Sequence, residues 1–62
     1  MTCYIYGMRL RGFAPGCQPM KGLVSRLDDD TGRYHDQLAY DRKLTELEEL
    51  GYELDCLGER EI

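Results

Sequence analysis

Sixty-two residues, 42% of them hydrophobic and 32% charged, make one small domain, and no stretch nears the ~20 apolar residues of a membrane span. Cys3, Cys17 and Cys56 show no paired spacing, and the opening MTCYIYGM is too short and lacks the basic start of a secretory leader, so a cytoplasmic chain with free thiols is expected. The net charge of −4 hides a partition: residues 1–27 hold four basic residues and no acid, whereas residues 28–62 hold four basic residues against all twelve acids. Such a polar molecule can stack on itself or meet an acidic partner at one end and a basic one at the other. A chain this short buries only about 60% of the surface its unfolded state exposes, so a homodimer or larger homo-oligomer is the expected source of further stability.

Residues 2–10 read as a first strand. Tyr4, Tyr6, Met8 and Leu10 alternate with Cys3, Ile5, Gly7 and Arg9, so both faces begin apolar, which places the strand at the centre of a sheet or at an interface. Tyrosines followed by Arg9, Arg11 and Phe13 also match the way sheet surfaces stack bases while arginines hold phosphates, and with Lys21 they form a possible nucleic-acid or anion contact. The competing reading packs those rings into the core. Residues 11–22 hold three glycines and both prolines, which stops helix and ladder alike, while Phe13, Cys17 and Met20 argue for a packed loop. The loop matches neither the Walker pattern nor G-x-G-x-x-G.

Residues 23–27 are a second strand, joined through an acidic hairpin turn at 28–32 to a third at 33–40, where Tyr34, Leu38 and Tyr40 share a face. As a calcium loop the turn fails: its glycine falls at the fifth position, and Ala39 stands where a bidentate glutamate is needed. Asp30-Thr31-Gly32 has the letters of an aspartic protease, yet acids precede it where an apolar strand should run. His35 has no cysteine near enough in sequence for a zinc knuckle, and a Cys17–His35 pair lacks an orienting group, since Asp36 points away from its neighbour on a strand. The sequence therefore offers no catalytic residue, no metal site and no cofactor, and the chain is not read as an enzyme.

Thr45 stands as a helix N-cap with Glu48 as capping-box partner, and Leu47, Leu50, Leu54 and Leu57 then draw one apolar stripe along a helix at about 45–57 that Gly58 can end. Gly51 interrupts it at a cost of about 1 kcal/mol. The alternative stops the helix there and makes Tyr52, Leu54 and Cys56 one face of a last strand. Residues 58–62 form a short charged tail expected to fray.

Four segments, YIYGMRLRGF, GCQPM, TGRYHD and YDRKLTELE with YELDCLG, resemble a group of short uncharacterised proteins from mobile elements and phage-like islands of anaerobic Gram-positive bacteria. The resemblance implies a stand-alone accessory protein with no catalytic residue to carry across. It also implies a polar, helix-compatible residue at the place of Gly51, which favours the uninterrupted helix.

The expected fold is α+β: a three-stranded antiparallel sheet (about 2–10, 23–27 and 33–40) with one C-terminal helix whose four leucines pack on Tyr4, Tyr6, Val24 and Leu38. The expected function is that of a non-enzymatic interaction module acting through protein contacts and self-association. Two alternatives stand beside it. One is nucleic-acid binding through Tyr4, Tyr6, Arg9, Arg11, Phe13 and Lys21. The other is an acidic decoy of a DNA-binding protein, presenting Glu46, Glu49, Glu53 and Asp55.

Overall fold

A computed structural model describes residues 1–9 and 18–62 of the chain. It is a small α+β structure in which four strands, rather than three, form one antiparallel sheet: β1 (Thr2–Met8), β2 (Leu23–Leu27), β3 (Gln37–Tyr40) and β4 (Leu54–Glu61), with α1 (Glu46–Gly51) between the last two. Across the sheet the order is β2-β3-β1-β4. The strand read as apolar on both faces is thus an inner one, flanked by β3 and β4. Register brings the aromatic residues together, for Tyr4 lies opposite Tyr40 and Tyr6 opposite Leu38 on β3, and Met8 lies opposite Leu54 on β4.

The main core follows from that register. Tyr6, Met8, Leu38, Tyr40, Leu44 and Leu54 are buried together, and Tyr4, Leu23 and Tyr52 pack against them. The rings of Tyr6 and Tyr40 meet edge to face, centroids 5.8 Å apart, the arrangement that the ring quadrupoles favour. Each phenol keeps a partner inside the core. The Leu44 amide donates to the Tyr6 hydroxyl at 3.0 Å, and the Tyr40 hydroxyl donates to the Pro19 carbonyl at 2.7 Å. Burial pushes the Tyr40 phenol up to about 12, so it stays a neutral donor. On the opposite face Cys3, Ile5 and Ala39 form a second cluster with Leu27.

The C-terminal half departs most from expectation. The capping box forms as read, with Thr45 and Glu48 satisfying each other's backbone amides, but the helix lasts only six residues and ends at Gly51. Tyr52 closes it, donating its amide to the Glu48 carbonyl, and Glu53 rather than Gly58 takes the left-handed turn, at φ 52°. From Leu54 the chain runs extended, so the alternative that stopped the helix at Gly51 is the correct one. The leucine stripe does not exist: Leu47 and Leu50 are 82% and 71% exposed, Leu57 is 40% exposed, and only Leu54 is buried.

The reason is a hydrogen-bonding one. A helix to residue 57 would leave β1, apolar on both faces, with an unpaired ladder edge, and buried backbone groups without partners cost more than a short helix gains. β4 removes that edge along the whole of β1, from Thr2 opposite Glu61 to Met8 opposite Leu54, with a bulge near Leu57 and Gly58. The tail expected to fray is therefore strand up to Glu61, and the Glu61 carboxylate accepts from the amino terminus at 2.6 Å and the Thr2 hydroxyl at 2.8 Å.

Three smaller corrections concern the other strands. Val24, placed in the core by the sequence, is 39% exposed. The third strand begins at Gln37, not residue 33, because residues 33–36 belong to the turn. Tyr34 consequently leaves the Leu38 and Tyr40 face and lies flat on Gly7, where an added Cβ would sit 2.6 Å from its ring.

Candidate interaction surface

The acidic turn is built around one carboxylate. Asp29 accepts from the Thr31 hydroxyl at 2.8 Å, the Gln37 side-chain amide at 2.9 Å and the backbone amides of Arg33 and Tyr34 at 3.2 Å. These bonds, that from Gln37 foremost, hold it well below the usual carboxylate range. Asp30-Thr31-Gly32 is thus part of a turn that Asp29 closes. Among the described residues no group of three or more His, Cys, Asp or Glu side chains could hold a metal ion, and no pocket opens. His35 is exposed, its amide bonded to the Met8 carbonyl, and of the described cysteines Cys3 is buried and Cys56 exposed.

The residues grouped as a nucleic-acid contact do not converge. Tyr6 is fully buried, and Tyr4 is half-buried against the same core. Arg9 follows β1 at the Met8 end of the sheet, whereas Lys21 precedes β2, whose Leu23 faces Tyr40 at the opposite, Tyr4 end. The Arg9 guanidinium is 3.3 Å from Asp55. Arg11 and Phe13 lie outside the described residues.

The acidic set is divided as well. Asp55 sits opposite Gly7, and its carboxylate takes the Tyr34 hydroxyl at 2.9 Å beside Arg9. Glu46 and Glu53 are exposed, and Glu49 is half-buried. Glu48, not among the expected site residues, is bound on both oxygens by Arg42, at 2.9 and 2.7 Å, while Arg42 Nε donates to the Lys21 carbonyl at 3.0 Å. That paired contact, with the Thr45 amide, lowers the Glu48 carboxyl to about 2. Arg42 and Glu48 thereby tie the start of α1 to the chain leading into β2, a link between residues six apart that no periodicity marks.

Among the described residues, one region turns apolar side chains and a strand edge outward. α1 lies against β4 and turns Leu47 and Leu50 to solvent. β4 is the outer strand on that side, and beyond Leu54 and Asp55 all of its residues are exposed. Exposed leucines on a well-capped helix, next to an open sheet edge eight residues long, have the composition of a contact surface rather than of a reaction site. Sequence reasoning missed it by spending those leucines on the core. The signal was Gly51, which both ends the helix and frees Leu54–Glu61 for the sheet.

No helix among the described residues is long and apolar enough to cross a membrane. A family model described as "Defence against restriction A C-terminal" matches residues 1–58. No curated protein and no solved structure matches the chain.

Proposed function

The chain belongs to the defence against restriction A C-terminal family, and from that membership we propose that it takes part in protecting DNA from restriction as a non-enzymatic module that works through protein contacts. The family also agrees with the phage and mobile-element association suggested by the sequence. The observation that supports the contact reading is the state of α1. A helix with a complete capping box and a bidentate clasp to Arg42 is held firmly, yet two of its leucines are 82% and 71% exposed. Apolar side chains held rigidly in water favour association, because covering each recovers roughly 1.5–3 kcal/mol of hydrophobic free energy.

A homodimer that covers Leu47 and Leu50 is one form this takes, and light scattering on the wild type and on Leu50→Asp measures it. Nucleic-acid binding draws less support, since Arg9 and Lys21 occupy opposite ends of the sheet. The decoy reading retains the exposed Glu46 and Glu53 and the half-buried Glu49 but loses Asp55, which binds Tyr34 and Arg9 inside the chain.

The test is protection itself. A restricting host expressing the wild type should let unmodified DNA survive, and a Leu47→Asp, Leu50→Asp variant should lose most of that survival while unfolding at the wild-type temperature. Full protection by a folded double variant would remove this surface from the function.

A further inference from the structure

We infer that two copies of the chain exchange β4, each placing it on the β1 of the other, and that the crossing so formed covers Leu47 and Leu50. The inference rests on the reading that those leucines are a contact surface, and it names a second copy as their occupant. β4 is suited to exchange because of where its partners lie. Its ladder runs along β1 from Thr2 to Met8, Asp55 binds Tyr34 and Arg9, and Glu61 binds the amino terminus and Thr2. The Glu53 carbonyl, just before the strand, accepts from the Arg9 amide at 3.2 Å. All of these partners precede α1, so a second copy presents the same ones in the same register and every bond re-forms between chains.

The hinge is the turn of Tyr52 and Glu53. The start of α1 is fixed, for Arg42 clasps Glu48 on both oxygens and the Leu44 amide donates to the Tyr6 hydroxyl. The exit is held less well. The bond from the Glu53 amide to the Leu50 carbonyl is 3.4 Å long, and among the described residues Glu53 alone has a positive φ without being glycine. Glycine is usual at that place after a helix because a side chain is strained in the left-handed region, and short strained hinges favour exchange. Opening the turn returns Glu53 to extended backbone, while α1 keeps the bond from the Tyr52 amide to the Glu48 carbonyl. The two chains then cross at residues 52–53, which brings Leu50, three residues before the crossing, and Leu47, a turn earlier, beside their counterparts. Two leucines per copy fall short of the roughly 800 Å² per partner that a stable interface buries. Exchange adds two complete β1–β4 ladders, each seating Leu54 in the core of the other copy.

The test mixes nitrogen-labelled and carbon-labelled samples of the full chain, unfolds and refolds them together at high concentration, and isolates the dimer by gel filtration. Nuclear Overhauser contacts between β1 amides of one labelled copy and β4 protons of the other are expected. Glu53→Gly removes the strain at both hinges and should lower the association constant by about tenfold or more, and Leu50→Asp should lower it as well. A dimer without β1–β4 contacts between copies would overturn exchange and place the leucines in a simple surface contact. An association constant that Leu50→Asp lowers and Glu53→Gly leaves unchanged would do the same. A chain that stays monomeric after refolding at millimolar concentration would remove the second copy altogether. If exchange fails in any of these ways while the leucine double variant still abolishes protection, the contact reading stands without it.

Discussion

The two leucines of α1 and the two leucines at β1's flanks come from one short chain and have opposite fates. Leu38 and Leu54 are 0% and 2% exposed, opposite Tyr6 and Met8 in the ladders on either side of β1, whereas Leu47 and Leu50 stand 82% and 71% exposed. Residue type does not separate them. What does is whether the local structure delivers the side chain to β1. A strand paired with β1 does so through register, but a six-residue helix joined to the sheet by short turns at both ends can present only Tyr52 and Leu44 at its borders. The buried pair maintains the fold, and the exposed pair is available for something outside it.

The sharpest way to break that comparison is truncation on both sides of it. Leu38→Ala should cost about 2–5 kcal/mol, which approaches the total stability of a domain this size, roughly 3–9 kcal/mol, so the variant should be largely unfolded by circular dichroism. Leu50→Ala should change stability by no more than about 0.5 kcal/mol in urea titration. Comparable losses at both positions would mean that α1 packs inward in solution.

A smaller effect is expected at Tyr6→Phe. The ring and its edge contact with Tyr40 survive, but the Leu44 amide loses its acceptor inside the core, at about 1–3 kcal/mol. An unchanged midpoint in thermal unfolding would show that water reaches this amide, and the join between β3 and α1 would then be looser than the buried face it is grouped with.

The smallest effect belongs to the exposed side and depends on pH. The Glu48 carboxyl falls from its ordinary 4.5 to about 2, chiefly through Arg42. A depressed acid adds stability above its unfolded value and loses it as the folded carboxylate protonates, so this contribution fades between pH 4.5 and about 2. Asp29, also depressed, titrates in the same direction, and the Glu48 share is therefore the difference from Glu48→Gln. That variant should show a shallower acid limb and little change at pH 7 beyond the loss of the clasp. Parallel acid limbs would mean that the Arg42 pair contributes nothing measurable, as many exposed pairs do.

Much of this was legible in the chain. Alternation on both faces of residues 2–8 reports an inner strand because both faces must be covered, and a capping box is local chemistry that needs only four residues, so Thr45 and Glu48 were readable as such. The acidic turn and the partner faces of Tyr6, Leu38 and Tyr40 were readable for the same reason. The candidate site was not. Leu47, Leu50, Leu54 and Leu57 satisfy a helical stripe as well as they satisfy a turn of helix followed by a strand, and local periodicity has no means of choosing between the two.

Sequence by itself thus determined that residues 2–8 and 23–27 extend, where the helix begins and that Tyr6 and Tyr40 share a face, since each follows from neighbours within a few residues. Tertiary structure alone decided that residues 54–61 join the sheet, that Asp29, Glu48 and Asp55 are consumed inside the fold, and that two leucines of α1 are left outside it. The reason is that β1 had a second ladder to fill, and only a segment some fifty residues away in the chain could fill it.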